Sequence, residues 1–218
     1  MTQSDIQLQH DVSEELAWEP SIDSAHIGVA VNEGVVTLTG YVPSFAQKLA
    51  AEIAARRVRG VQALAEEIQV RFPTDAKVAD HEIGKRIAKI FRWDVLVPED
   101  DIEITVEHGW VTLSGTVDRS YQREEAERLA GRIGGVRGIT NLVVLRELPV
   151  AVDIKDRIRA AFKRHANIDA DAVNVEICGG TVKLMGKVAH WDERSIAERA
   201  AWAAPGVTHV EDEILVAI

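Results

Sequence analysis

Cys178 is the only cysteine in the chain. No intrachain disulfide can therefore staple its 218 residues, and the fold must be held by packing. No apolar run approaches the roughly 18 residues of a membrane-spanning helix. The opening Met1-Thr2-Gln3-Ser4-Asp5-Ile6-Gln7 lacks the charged stretch and apolar run of a secretory signal. These absences lead us to expect a soluble cytoplasmic chain, peripheral at the inner membrane if it meets a membrane at all. Metal-ligand spacing is missing too. Seven histidines are present, none at an equivalent place in every repeat described below, and no His-x-x-x-His or Cys-x-x-Cys occurs. No preorganised metal site and no cofactor are expected. Basic charge is in deficit, with 25 Lys and Arg against 35 Asp and Glu and a net charge of −10. Such a chain repels a phosphate backbone, so nucleic acid is not an expected partner.

What is present is one segment written three times. Val31-Asn32-Glu33-Gly34-Val35-Val36-Thr37-Leu38-Thr39-Gly40 recurs as Val106-Glu107-His108-Gly109-Trp110-Val111-Thr112-Leu113-Ser114-Gly115. It recurs again as Ile177-Cys178-Gly179-Gly180-Thr181-Val182-Lys183-Leu184-Met185-Gly186, at offsets of 75 and then 71 residues. A period this long means tandem copies of a small domain. We place them at residues 5–72, 78–148 and 149–218, with net charges of −5, −3 and −2. A unit this small buries only about 60% of its unfolded surface, which favours packing between neighbours.

Each repeat opens on a helical pattern. Leu8, Val12 and Leu16 in the first, Ile83, Ile87, Ile90 and Phe91 in the second, and Ile154, Ile158, Ala161 and Phe162 in the third each fall on one helix face. Trp18 and Trp93 align at the ends of the first two. A loop follows, such as Val97-Pro98-Glu99-Asp100-Asp101 or Asn167-Ile168-Asp169-Ala170-Asp171. Period-2 alternation then marks a hairpin, with Ile27, Val29 and Val31 on its first strand and Val36 and Leu38 on its second. Its turn ends in Gly34, Gly109 or Gly180, which suggests a positive φ there. Gly40, Gly115 and Gly186 close the second strand, as a bend or a close backbone approach requires. A second helix is expected over about Ser44–Val58, Ser120–Ile133 and Trp191–Ala203. Gly60, Gly135 and Gly206 stop it, and a last strand carries Leu64, Ile68 and Val70 or their counterparts.

The expected fold class is α+β: three tandem αββαβ units, each a small mixed three-stranded sheet with two helices on one face. Pro73 and Pro149 mark the joints. The second joint is four residues shorter, so repeats 2 and 3 should be less free to reorient.

The features that could carry function lie where the copies disagree. The first helix of repeat 2 has Lys85, Arg86, Lys89 and Arg92 around its apolar stripe; that of repeat 3 has Lys155, Arg157, Arg159, Lys163 and Arg164. The first helix of repeat 1 has no Lys or Arg. Basic amphipathic helices suit anionic lipid headgroups, although most such stripes face a core. Trp110, Trp191 and Trp202 are candidate anchors for a protein partner. Gly131-Arg132-Ile133-Gly134 has the form of a nucleic-acid clamp, but it aligns with the ends of the other second helices. Cys178 aligns with Asn32 and Glu107, so two copies manage without a thiol. No catalytic residue is assigned.

The repeated segment resembles the BON domain, named for bacterial osmotic-stress and nodulation proteins. The Gly-Val step and the trailing strand Gly135-Val136-Arg137-Gly138-Ile139-Thr140-Asn141-Leu142-Val143-Val144 match as well. That resemblance implies an αββαβ fold, no shared catalytic motif, and a non-enzymatic stress role binding phospholipid or envelope components. The expected partner is an anionic phospholipid surface or an envelope component. A soluble protein–protein scaffold is the competing class.

Overall fold

Alternating and helical periodicities become real elements three times over in the computed structural model, which describes residues 3–72, 78–149, 153–165 and 169–216. Pro73 and the loop residues Asn167 and Ile168 lie outside the described residues. Repeat 1 holds α1 (Gln3–Trp18), β1 (Ile27–Asn32), β2 (Val35–Val42), α2 (Phe45–Arg57) and β3 (Ala63–Val70). Repeat 2 holds α3 (Asp80–Trp93), β4 (Ile102–Glu107), β5 (Trp110–Val117), α4 (Ser120–Gly131) and β6 (Gly138–Leu145). Repeat 3 holds α5 (Ile154–Arg164), β7 (Val173–Cys178), β8 (Thr181–Val188), α6 (Trp191–Trp202) and β9 (His209–Val216). The loops ahead of β1 and β4 each wind into a single 3-10 turn, at Ser24–His26 and Glu99–Asp101.

Every sheet has its hairpin's second strand in the middle. In repeat 1, β2 pairs antiparallel with β1 and parallel with β3, with Val36 opposite Val31 on one side and Leu64 on the other. Repeat 3 has the same pattern. The parallel pair is joined through the second helix, as parallel neighbours require. Both helices cover one face. In repeat 1, Leu8, Val12 and Leu16 of α1 and Ala51, Ala54 and Ala55 of α2 close over Val36, Leu38 and Val42. In repeat 3, Ile154, Ile158 and Phe162 do so over Val182, Leu184 and Val188. Truncating such a side chain to alanine costs about 2–5 kcal/mol, so each first helix is held by its apolar stripe.

Two compact units are distinguished. One is Met1–Val117 with Tyr121–Val144, and the other is Leu145–Ile218 with Asp118–Ser120. The first holds repeats 1 and 2, where buried Gly131 of α4 faces Phe45 and Leu49 of α2 so closely that a Cβ would lie 3.3 Å from the Phe45 ring. The longer joint, not the shorter, thus falls inside one compact unit.

A polar tether sits on the helix-facing side of each last strand. Lys48 of α2 reaches Glu66 of β3 at 2.7 Å, and Glu66 also accepts the Ile68 N–H. Arg194 of α6 reaches Asp212 of β9 at 2.6 Å, and Asp212 accepts the Ile214 N–H. Repeat 2 uses Asn141, which accepts the Val143 N–H and donates to Glu127 and to the Arg123 carbonyl. These half-buried groups are satisfied in all three copies, which is the condition for tolerating them there.

The glycines divide by cause. Gly40, Gly115 and Gly186 have φ of 109°, 132° and 143°. A Cβ at any of them would collide with the backbone carbonyl oxygen of His26, Asp101 or Ala172. In the hairpin turns the copies differ. Glu33-Gly34 and His108-Gly109 both have two positive φ values, the mark of a type I′ turn. In repeat 3 the expectation for Gly180 fails. Gly179 carries the left-handed φ, 57°, and Gly180 does not. That is the pattern of a type II′ turn, which needs glycine first. Gly180 is required instead for space, since a Cβ there would lie 2.6 Å from the Thr208 hydroxyl.

Two of the three hairpin turns are held by an acid at the start of the first helix. Asp80 accepts the His108 and Gly109 N–H groups at 2.8 and 2.9 Å, and buried Asp5 accepts the Gly34 N–H at 3.3 Å. The aligned residue of repeat 3 is Ala151, which lies outside the described residues.

Gly115→Ala should lower the unfolding free energy by about 2–3 kcal/mol, since it adds a clash to a strained φ. Asp80→Ala should lower it by about 1–2 kcal/mol, the worth of charge-assisted hydrogen bonds to one exposed and one half-buried turn amide. Urea unfolding of each variant checks both values. The substitution Gly179→Ala should cost less than Gly115→Ala, because a Cβ at Gly179 meets nothing within 4 Å.

Candidate functional site

The basic residues of α3 take their positions from the stripe that holds the helix down. Ile83, Ile87 and Phe91 are buried against the sheet. At 100° per residue, Lys85, Arg86, Lys89, Arg92 and Trp93 then fall in one arc on the opposite side, and all five are exposed. Lys85 reaches Glu82 and Arg92 reaches Glu99, each at 3.3 Å. The Lys85 hydrogen bond, with its charge, holds the Glu82 carboxyl below the usual range. These exposed pairs contribute little to stability, and Lys89 and Arg86 stand beside them.

The arc ends in apolar side chains. Trp93 is 78% exposed, Val95 97% and Leu96 45%. The helix stops there because Asp94 takes an extended backbone while its N–H donates to the Ile90 and Phe91 carbonyls. Asp94 then accepts the Leu96 N–H at 2.8 Å, which holds the Val95-Leu96 turn outward. Sequence reasoning placed Trp93 only as an aligned helix end. Its exposure could have been found from the same helical count, because residue 93 falls outside the stripe of Ile83, Ile87 and Phe91.

The five basic residues of α5 are also exposed, but they do not form one arc. Ile154, Ile158 and Phe162 are buried, and Lys155, Arg159 and Lys163 lie to one side of that stripe. Arg157 and Arg164 lie on the other side. There they edge a shallow groove of about 160 Å³ with Ala161, Ala200 and Pro205. The two basic helices belong to different compact units.

The tryptophans proposed as protein anchors separate. Trp202 is half-buried against the core of repeat 3. Trp191 is half-buried with the Arg194 guanidinium 5.1 Å from its ring centre. Trp110 alone of the three is exposed, at 50%. The structural glycines Gly34, Gly40, Gly60, Gly109, Gly115, Gly135, Gly180, Gly186 and Gly206 sit in turns, helix ends and close approaches, none of them at the basic arc.

A cleft of about 570 Å³ lies between Phe72, the last residue of repeat 1, and Val78, Asp80, His108, Gly109 and Arg137 of repeat 2. Its carboxylate is committed to the turn amides, and its guanidinium lies 5.4 Å from the Phe72 ring centre. Among the described residues, those that line it include no serine, threonine, cysteine or lysine. Among the described residues no group of three or more His, Cys, Asp or Glu could hold a metal ion. Among them, too, no helix is long and apolar enough to cross a membrane.

The family model for the BON domain matches residues 4–71, 79–147 and 151–218. The chain is 31% identical over 141 residues to osmotically-inducible protein Y of Escherichia coli, covering 63% of this chain and 70% of that protein. It is 34% identical over 92 residues to an uncharacterized protein in the gshII 5′ region of Anaplasma centrale, covering 39% of this chain and 61% of that one. A solved structure of CdsD, a structural protein of the type III secretion system of Chlamydia trachomatis, aligns over 97% of this chain and 92% of its own. Its identity is 14% and its TM-score 0.27, too low to carry an argument.

The charge around the two exposed tryptophans at first-helix ends is opposite. Trp93 follows Lys89 and Arg92, whereas Trp18 has Glu14, Glu15 and Glu19 beside it, the last two sharing Arg57, which leaves the acids in excess. Fluorescence differences between the native chain and Trp93→Phe or Trp18→Phe should show this. Iodide should quench Trp93 roughly twofold better than caesium does, with the reverse order at Trp18 and both differences fading at high salt.

Proposed function

The chain belongs to the BON domain family as three tandem copies, and from that premise we propose a non-enzymatic, stress-related module that docks on anionic phospholipid. The observation that carries this reading is the tip of α3, where exposed Trp93, Val95 and Leu96 continue an exposed basic arc. The arrangement suits a membrane interface. Lysine and arginine meet headgroups at about 1 kcal/mol each, and tryptophan prefers the boundary between apolar and wet. The relative in Escherichia coli bears a name that marks it as osmotically inducible, and this supports a stress-related role here.

The mode of docking follows from magnitudes. Lifting α3 off the sheet to insert it would leave the buried side chains Val111, Leu113 and Val117 open to water, at about 1.5–3 kcal/mol each. Those three together outweigh what the neighbouring cations contribute. α3 therefore docks folded, by its basic arc and its tip, with its stripe left in the core. On α5 the basic side chains can add only charge.

Sedimentation with vesicles of phosphatidylcholine and phosphatidylglycerol tests the reading. The chain should cosediment at low salt, release at high salt and ignore pure phosphatidylcholine. Trp93→Glu should abolish cosedimentation, and Lys89→Glu should weaken it at least about fivefold, the equivalent of 1 kcal/mol. The combined charge reversal of Arg157, Arg159 and Lys163 should weaken it less than Trp93→Glu does. Failure to cosediment at low salt, or full binding by Trp93→Glu, would overturn the proposal.

A further inference from the structure

The outer face of the repeat 2 sheet, away from both helices, carries an aromatic platform that neither neighbouring repeat builds. Trp110 opens β5, and its indole lies across Gly138 at the start of β6. A Cβ on Gly138 would come within 2.6 Å of the ring atom Cε3, so only glycine lets the ring lie there. The indole Nε1–H donates to the Thr140 hydroxyl at 2.8 Å, which fixes the ring in its plane. Half of the side chain's surface stays open. Three residues therefore act together: one supplies the ring, one the space and one the anchor. At the aligned positions repeat 1 has Val35, Ala63 and Ala65, and repeat 3 has Thr181, His209 and Glu211. The scaffold does not need the trio.

The surroundings select the ligand. Glu107 pairs directly opposite Trp110, Thr105 opposite Thr112, and Glu103 opposite Ser114. Cross-strand partners share a face, so carboxylates and hydroxyls flank the ring. No Lys or Arg occupies β4, β5 or β6, so a phosphate or other anion finds no counter-charge on this sheet. A quaternary ammonium group calls for a cage of several rings, and here one ring stands on the face. A pyranose fits both features. Its C–H face can lie on an immobile indole, and its vicinal hydroxyls can donate to carboxylate and exchange hydrogen bonds with threonine. A ring already fixed in place binds without the cost of ordering it.

We propose that this face of repeat 2 is a binding site for a neutral glycan, with Trp110 as the stacking platform and Glu107 as the acceptor for sugar hydroxyls. It is independent of the lipid reading and lies on a different surface of the same repeat. With one platform the affinity is modest, with a dissociation constant on the order of 0.1–1 mM.

The test uses the full chain labelled with 15N, in which each of the five tryptophans gives its own indole N–H resonance. The Trp110 signal is identified as the one absent from Trp110→Phe. Chitohexaose, cellohexaose and maltohexaose are added separately, up to about 20 mM to cover the expected range. At least one of them should move the Trp110 resonance saturably while the other four indoles stay still. An N-acetylated or an unsubstituted sugar is distinguished by which of the three acts. In affinity electrophoresis with the active sugar, Trp110→Ala should lose retardation. Glu107→Gln, which keeps the ring, should bind at least threefold more weakly. Retention of the other four indole positions shows that Trp110→Ala is folded. The proposal is overturned if none of the three sugars shifts the resonance, if glycerol shifts it equally, or if both variants bind like the native chain.

Discussion

The packing of each first helix onto its sheet is the constraint on which the rest depends. Ile83, Ile87 and Phe91 in α3, like Ile154, Ile158 and Phe162 in α5, are almost completely removed from water. Units of about 70 residues have little core to spare, so these stripes cannot be lent to a partner. Everything the protein can present must come from what remains outside. That is the far arc of each first helix, the loop that ends it, and the sheet face that no helix covers. The three copies differ at those places and agree underneath.

The agreement extends to details with clear physical causes. The second strand of each hairpin passes so close to the backbone before the first strand that only glycine fits at 40, 115 and 186. Each last strand is tied to a helix through a half-buried polar group whose bonds are all satisfied. Where Asp5 or Asp80 reaches the hairpin amides, the turn takes two left-handed residues. In repeat 3, whose sequence has alanine at the aligned position, a glycine pair makes the other primed turn. One local change in helix start and one in turn chemistry travel together, which is how a repeat keeps its register while its sequence drifts.

Most of this architecture was legible in the chain itself. The repeat offset, the period-2 strands and the spacing of Ile83, Ile87 and Phe91 were enough to give the elements and their order. The polar tethers were not legible, because Lys48–Glu66 and Arg194–Asp212 join residues 18 apart through a crossover, with no short motif to mark them. Gly180 was misread because two adjacent glycines leave open which one takes the left-handed φ. The basic residues of α3 and α5 were visible, but their grouping was not: the same helical count places α3's on one arc and splits α5's across two. The tryptophans reversed their order of interest. Trp202 is half-buried in its repeat's core, while Trp93 stands almost free in solvent. Whether an indole is buried depends on which neighbours close over it, and a sequence pattern without tertiary contacts does not fix that. Trp110 needed Gly138 beside it, a pairing visible only once two strands are laid side by side.

The three repeats share one packing plan and differ in what they display. Repeat 2 displays most: a basic arc with an apolar tip on one side and a flat indole on the other. The central claim is that α3 meets a membrane without giving up its core. Hydrogen exchange of the chain with and without anionic vesicles tests this most directly. The account predicts unchanged protection for the amides from Ile83 to Phe91 and new protection at Val95 and Leu96. A gain of protection along Ile83–Phe91 on binding, with loss of protection at Val111 and Leu113, would mean that the helix leaves the sheet to insert, and would contradict it.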